Sequence, residues 1–294
     1  MSRREVRENL TGWAFIGLNL IGYLLFKLLP LFLAGVLSFT KWNIAASLDT
    51  MEFVGFSNFA RIFSDPVFWK SFWNTILYAI VMVPIAIALS LVLAVILDTH
   101  VFGKGLLRLA FYLPNISSMV AVSVVWMILF IPSYGPINSF LMSLGISNPP
   151  KWLNGSATSL ISIIIVGVWQ RLGYNIIIIL AGLQGISRTW YEAAEIDGAN
   201  GVQKFFYITL PSLSNTMFFL TMISFISSFQ MFTPVQVMTK GGPGTSSSVL
   251  VYYIYKSAFQ NNDIGGASAM AWILFLLVFV FSAARMIMSR KEES

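Results

Sequence analysis

Arg171 is the residue of this chain whose type and position most demand a chemical role. It lies in Trp169-Gln170-Arg171-Leu172-Gly173-Tyr174-Asn175, within a long apolar run. A charged side chain at bilayer depth costs about 2.5–3.5 kcal/mol on insertion scales, so it must face protein or water rather than lipid. Gln170, Tyr174 and Asn175 beside it can exchange hydrogen bonds with hydroxyl groups. Two readings stand side by side: the lining of a solute pathway, or a structural charge paired between helices. Trp126 and Trp169 offer rings on which the face of a solute could stack. Most Trp residues here fall near the ends of apolar runs, which suits an interfacial belt better. Gln230, with Phe229 and Pro234 around it, could line a gate or simply pack.

The remaining reactive residue types point away from catalysis. His100 is the single histidine. Metal or general-base chemistry needs converging partners, and only Asp98 and Lys104 are near it in sequence, so it reads as a solvated loop histidine. No cysteine is present, which removes disulfides, thiolate metal sites and a thiol nucleophile. Gly103-Lys104-Gly105 lacks the distal glycine and the hydroxyl residue of a P-loop. The Gly241-Gly242-Pro243-Gly244 cluster lacks the lysine after its last glycine. The chain is therefore expected to bind no ATP, metal or other cofactor of its own.

The elements that must hold these residues are legible from composition. Hydrophobic residues make up 57% of the 294 residues and charged residues 10%, whereas soluble domains are about 45–50% apolar and about 25% charged. Lipid is the solvent that such a chain suits. The formal charge of +6 is scattered at the edges of apolar runs, as expected for Lys and Arg retained on the cytoplasmic side and not for nucleic-acid binding. Six runs reach the roughly 20 residues needed to cross hydrocarbon, at about 12–39, 71–97, 107–131, 158–182, 212–234 and 267–288. The first is too long for a signal-peptide core and is expected to stay as a span. The expected fold is all-α and polytopic: residues 1–11 cytoplasmic, 12–288 a six-span domain, 289–294 cytoplasmic. The excess of Lys and Arg in the even-numbered links and the ends puts both termini in the cytoplasm.

One cytoplasmic link, about 183–211, is long. Thr189-x-x-Glu192 reads as a capping box, Ala193 and Ala194 favour helix, and Gly198 suits a left-handed helix end. Acidic residues near the start suit the positive end of the helix dipole. Asn200-Gly201 reads as a turn, and Pro211 is expected to interrupt the second short helix that follows. The reading is a two-helix hairpin over 189–211.

Glu192-Ala193-Ala194, three residues, Gly198, nine residues and Ile208-Thr209-Leu210-Pro211 resemble the EAA motif of importer-type ABC transporter permeases. Phe53-Val54-Gly55-Phe56-Ser57-Asn58-Phe59, and Thr239-Lys240-Gly241-Gly242-Pro243-Gly244 followed by Tyr252-x-x-Tyr255, look like stretches of the carbohydrate and glycerol-phosphate branch, first permease of the pair. The extra periplasmic domain and extra spans of the maltose subunit are missing, which counts against maltose itself. The resemblance implies a bacterial or archaeal cell-membrane importer subunit for sugars or oligosaccharides. It also implies a second permease, two ATPase subunits that hold ATP and magnesium, and an extracytoplasmic solute-binding protein. Glu192, Ala193, Ala194, Gly198, Ile208, Leu210 and Pro211 would then contact the ATPase or shape the hairpin. The rivals are an importer of phosphate esters or polyols, an ion-driven carrier and an intramembrane enzyme. An ion-driven carrier would need inverted repeats and membrane acids, and an intramembrane enzyme a clustered His, Asp or Ser site.

Overall fold

The computed structural model describes residues 13, 16–43, 45, 47–98 and 103–292; His100 and the N-terminal segment 1–11 lie outside this set. Its helices are α1 (Ile16–Leu37), α2 (Ser57–Phe63), α3 (Pro66–Asp98), α4 (Lys104–Ile116), α5 (Met119–Leu129) and α6 (Pro136–Ser143). They are followed by α7 (Ser159–Gln184), α8 (Arg188–Ile196), α9 (Gly201–Ser212), α10 (Ser214–Phe229), α11 (Leu250–Tyr255) and α12 (Ile264–Glu292). Strands β1 (Thr40–Lys41) and β2 (Glu52–Phe53) form a small antiparallel pair. Four helices, α1, α3, α7 and α12, are long and apolar enough to cross a membrane.

Two of the six expected spans are not single straight helices. The run at 107–131 is broken into α4 and α5, bent by 101°, and the run at 212–234 is preceded by α9, which meets α10 at 64°. Pro114 removes a helical hydrogen bond, and Ser117 and Ser118 then take extended ψ values of 148° and 123°. Ser117 Oγ also donates to Leu113 O at 2.8 Å, a local bond that competes with helix continuation. α10 has 16 residues, about 24 Å at 1.5 Å per residue, short of the hydrocarbon thickness by itself.

The chain divides into two compact units, one holding the residues up to Asp65 with Ile254–Leu277, the other Pro66–Tyr253 with the residues from Val278 on. In the first unit none of the α1 side chains from Ile16 to Leu37 is buried. The Phe53–Phe59 stretch has a structural account here. Gly55 supplies a positive φ of 54°, and Phe56 and Phe59 pack with Phe39 at ring distances of 5.2 and 5.6 Å. Buried Asn58 donates to Ser38 O at 2.9 Å and Thr40 O at 2.8 Å. Arg61 pairs with Asp263 at 2.6 Å.

In the second unit α3 and α7 carry the core. α3 opens on Pro66, whose missing N–H costs nothing at a first helical position. Met82, Ala86 and Ala94 of α3 and Ile163, Ile176 and Ile179 of α7 belong to one buried cluster. Gly173 lets the backbone of α4 approach: a Cβ there would overlap the Phe111 carbonyl. The 239–249 loop is pinned to one side of α3. Asn74 Nδ2 donates to Thr245 O, Ser246 O and Ser248 O at 3.2, 3.0 and 2.8 Å. Ser71 Oγ lies 2.8 Å from Ser248 Oγ, and Thr75 Oγ1 accepts from Leu250 N at 2.8 Å. These three side chains follow i, i+3, i+4 spacing and so share a helix face.

Candidate functional site

The 183–211 link folds as the hairpin α8–α9, with different caps from those expected. α8 is capped by Ser187, whose ψ is 130° and whose Oγ accepts from Thr189 N. Thr189 is thus inside the helix, and Thr189-x-x-Glu192 is not its capping box. No acidic residue falls in the first turn, so the dipole does not account for Glu192. The far end is as the sequence indicates. Gly198 has φ +78°, Gly198 N donates to Glu195 O at 3.0 Å, and Ala199 N donates to Ala194 O at 2.8 Å. This pair of bonds is a Schellman ending, in which a left-handed residue closes the last turn.

The capping box lies one helix later. Asn200 Oδ1 accepts from Gln203 N at 2.9 Å, and Gln203 Oε1 accepts from Asn200 N at 2.8 Å. α9 contains a π turn over Phe205–Thr209, closed by Leu210 N donating to Phe205 O. Pro211 therefore does not interrupt α9, which continues to Ser212. The wider turn just before the proline relieves the clash a proline imposes on a preceding α turn. Two links tie the hairpin together: Lys204 Nζ to Glu195 Oε1 at 2.7 Å and Tyr191 Oη to Thr209 Oγ1 at 2.9 Å. Leu210 packs against the main buried cluster and anchors the hairpin to the core. A groove of ≈ 610 Å³ opens between Trp190, Ala193, Ala194 and Asp197 on one side and Tyr207, Ile208, Pro211 and Ser212 on the other. The small Ala193 and Ala194 side chains leave that groove open. Glu192 and Gly198 are exposed. Ile196 and Tyr207 are exposed to 87% and 81%, which is unusual for large apolar side chains of a segment flanked by charges.

The residues proposed for a pathway separate into four places. Gln170 and Arg171 line a cavity of ≈ 200 Å³ together with Tyr78, Met82, Met119, Gly167, Ser227, Ser228 and residues 231–234. Arg171 Nε donates to Ser224 Oγ at 3.4 Å, and its guanidinium lies 5.2 Å from the Tyr174 ring centre. Its Nη2 atom is buried without a hydrogen-bond partner. Trp126 and Trp169 form an edge-on pair at 5.5 Å, outside that lining. Asn175 is fully buried and neither of its polar side-chain atoms has a partner. Gln230 is exposed and absent from the lining that its neighbours form.

The sequence family described as "Binding-protein-dependent transport system inner membrane component" matches residues 56–293. The chain belongs to this family of transport-system permeases. It is 37% identical over 281 residues to the probable ABC transporter permease protein YesP of Bacillus subtilis (strain 168), covering 94% of this chain and 89% of that one. It is 33% identical over 291 residues to the lactose transport system permease protein LacF of Rhizobium radiobacter, covering 97% and 96%. A crystal structure of a bacterial alginate ABC transporter, in complex with a periplasmic protein bound to alginate pentasaccharide, contains a chain of the same fold. Its TM-score is 0.85 at 22% identity, over 98% of this chain and 96% of that one.

Within this permease, the cavity also takes in Tyr78, Met82, Met119, Gly167, Ser227, Ser228, Met231, Phe232 and Thr233, none of which stands out by itself in the sequence. Gly167 is required there, because a Cβ would overlap the Tyr78 hydroxyl. Ser227 and Ser228 are within a few residues of Gln230, so a polar cluster at that span end was visible in sequence. Tyr78 belongs to a helix 93 positions away from Arg171, and nothing local signals that they meet.

Proposed function

We propose that this permease forms half of the membrane pathway of a binding-protein-dependent ABC importer for sugars or oligosaccharides. It has six spans if α4–α5 and α9–α10 each make one crossing. The residues from 12 to 288 act as one membrane domain with both ends in the cytoplasm, in a bacterial or archaeal cell membrane. A second permease completes the pathway, two ATPase subunits bind ATP and magnesium, and an extracytoplasmic solute-binding protein delivers the solute. This chain binds no cofactor and performs no hydrolysis.

The observation that carries this reading is the α8–α9 hairpin. Its motif residues Ala193, Ala194, Ile208 and Pro211 line an open groove, beside exposed Trp190, Ile196, Val202, Phe206 and Tyr207. Exposed apolar side chains on a short capped hairpin suit docking on a partner. Closure of the ATPases would pull on α8–α9, and Leu210 would pass the movement to the core as a rigid-body change between two states. The likeness to a lactose permease supports a sugar as cargo. The polar cavity around Gln170, Ser227 and Ser228 supports a hydroxyl-bearing solute.

The test uses the complete complex in proteoliposomes with a panel of radiolabelled oligosaccharides. A Gly198→Trp permease keeps its partners but loses ATP-coupled uptake, because a bulky residue at a positive φ disturbs the docking face. Uptake by the wild-type permease that needs no ATP and follows an ion gradient would overturn the reading.

A further inference from the structure

We infer that the cavity around Arg171 receives a negatively charged group carried by the transported saccharide, such as a uronate carboxylate or a sugar phosphate. This rests on the proposed importer function and narrows its substrate class. The first observation concerns charge. Arg171 stands midway along α7, and of the twelve acidic residues of the chain none falls between Asp98 and Glu192 or between Asp197 and Asp263. Among the described residues no ion pair involves Arg171. Its own subunit therefore offers no carboxylate within the spans to neutralise it, whereas charges at membrane depth ordinarily pair.

The second observation is geometric. Arg171 Nε is engaged by Ser224 Oγ at 3.4 Å and one face of the guanidinium by the Tyr174 ring. Nη2 is left without a partner on a side chain that borders an open cavity. A guanidinium seated on a ring face, with a buried N–H group that nothing in this chain accepts, suits an anionic oxygen. The third observation is the sorting of the other polar groups. Ser227 Oγ and Ser228 Oγ donate to the backbone carbonyls of Ser224 and Phe225 at 3.0 and 2.7 Å. Their lone pairs remain to accept from sugar hydroxyls, while Arg171 and the Gln170 amide supply donors. At ≈ 200 Å³ the cavity is smaller than the ~300–1,000 Å³ of complete small-molecule sites, in keeping with one permease supplying half.

The test is competitive uptake by the whole reconstituted complex of three disaccharides that differ in one group: a uronate, a phosphate ester and the neutral parent. The wild type is expected to prefer one of the charged sugars, and which one names the anion. In Arg171→Gln the ratio of charged to neutral uptake falls by about tenfold or more, the lower end of what losing one hydrogen bond between charged groups costs, and Arg171→Lys recovers part of it. A purely structural role for Arg171 would lower all three substrates together and leave the ratio unchanged, which would overturn the inference. If Arg171→Gln does not assemble, the wild-type preference decides: better uptake of the neutral parent than of either charged sugar rejects the anion site and leaves the importer reading intact. Failure of every saccharide to move with ATP rejects the importer reading and this inference with it.

Discussion

Asn74 shows how much one buried amide can organise. It is 3% exposed and its Nδ2 reaches three carbonyls of the loop that carries the Gly241-Gly242-Pro243-Gly244 stretch. Replacing it with alanine strands those carbonyls in the interior, and an unsatisfied buried polar group costs about 1–3 kcal/mol. Asn74→Ala is therefore expected to lower the unfolding midpoint of the purified permease in detergent by several degrees, at about 2–4 °C per kcal/mol. An unchanged midpoint would mean that Ser71 and Thr75 hold the loop without it. Arg171 and Asn175 pose the opposite case at the same scale. Both keep buried polar atoms without partners, and polar atoms left so in a membrane protein point to water, solute or a neighbouring subunit.

The hairpin shows which parts of an element a sequence discloses. Gly198 could be placed because only a residue without Cβ adopts φ +78° without strain, and the small Ala193-Ala194 pair marked the helix before it. The N-terminal cap was misplaced by two residues because Ser187 and Thr189 are both competent caps, and the choice depends on where the chain leaves α7. The Asn200/Gln203 box was legible as Asn-x-x-Gln but was read only as a turn, since Asn-Gly is also a strong turn signal. Pro211 signals an interruption of the second short helix, and the π turn that accommodates it cannot be seen in a single sequence. The bend between α4 and α5 had a visible cause in Pro114, whereas the meeting of Tyr78 with Arg171 depends on packing between distant helices. At this scale Asn200→Ala removes both reciprocal bonds, at a cost of about 0.5–2 kcal/mol. Hydrogen–deuterium exchange over 199–205 in the assembled complex is expected to accelerate, with exchange in α7 unchanged. Equal protection in the two proteins would show that docking, not the cap, orders the start of α9.

At the scale of the molecule, apolar side chains face outward on a scale no soluble protein sustains. Leu18, Phe26 and Phe32 of α1 are 78%, 80% and 63% exposed, and no α1 side chain in the span is buried in this chain. Lipid and a second subunit are the surroundings that suit such a surface. The described residues hold four helices long and apolar enough to cross a membrane and two bent pairs, and in the proposed importer the energy of transport enters through contacts with a partner ATPase. The α8–α9 groove is the proposed point of that entry. The most direct measurement is ATP-dependent uptake by the complete complex with Ala194→Trp in this permease, scored together with ATPase retention. Tyr134→Trp, at an exposed position between α5 and α6, serves as control. Filling the groove is expected to reduce uptake by about tenfold or more, the scale of losing a buried anchor in an interface, while the control stays near wild type. Wild-type uptake rates in the Ala194→Trp complex would contradict the claim that this hairpin carries the coupling.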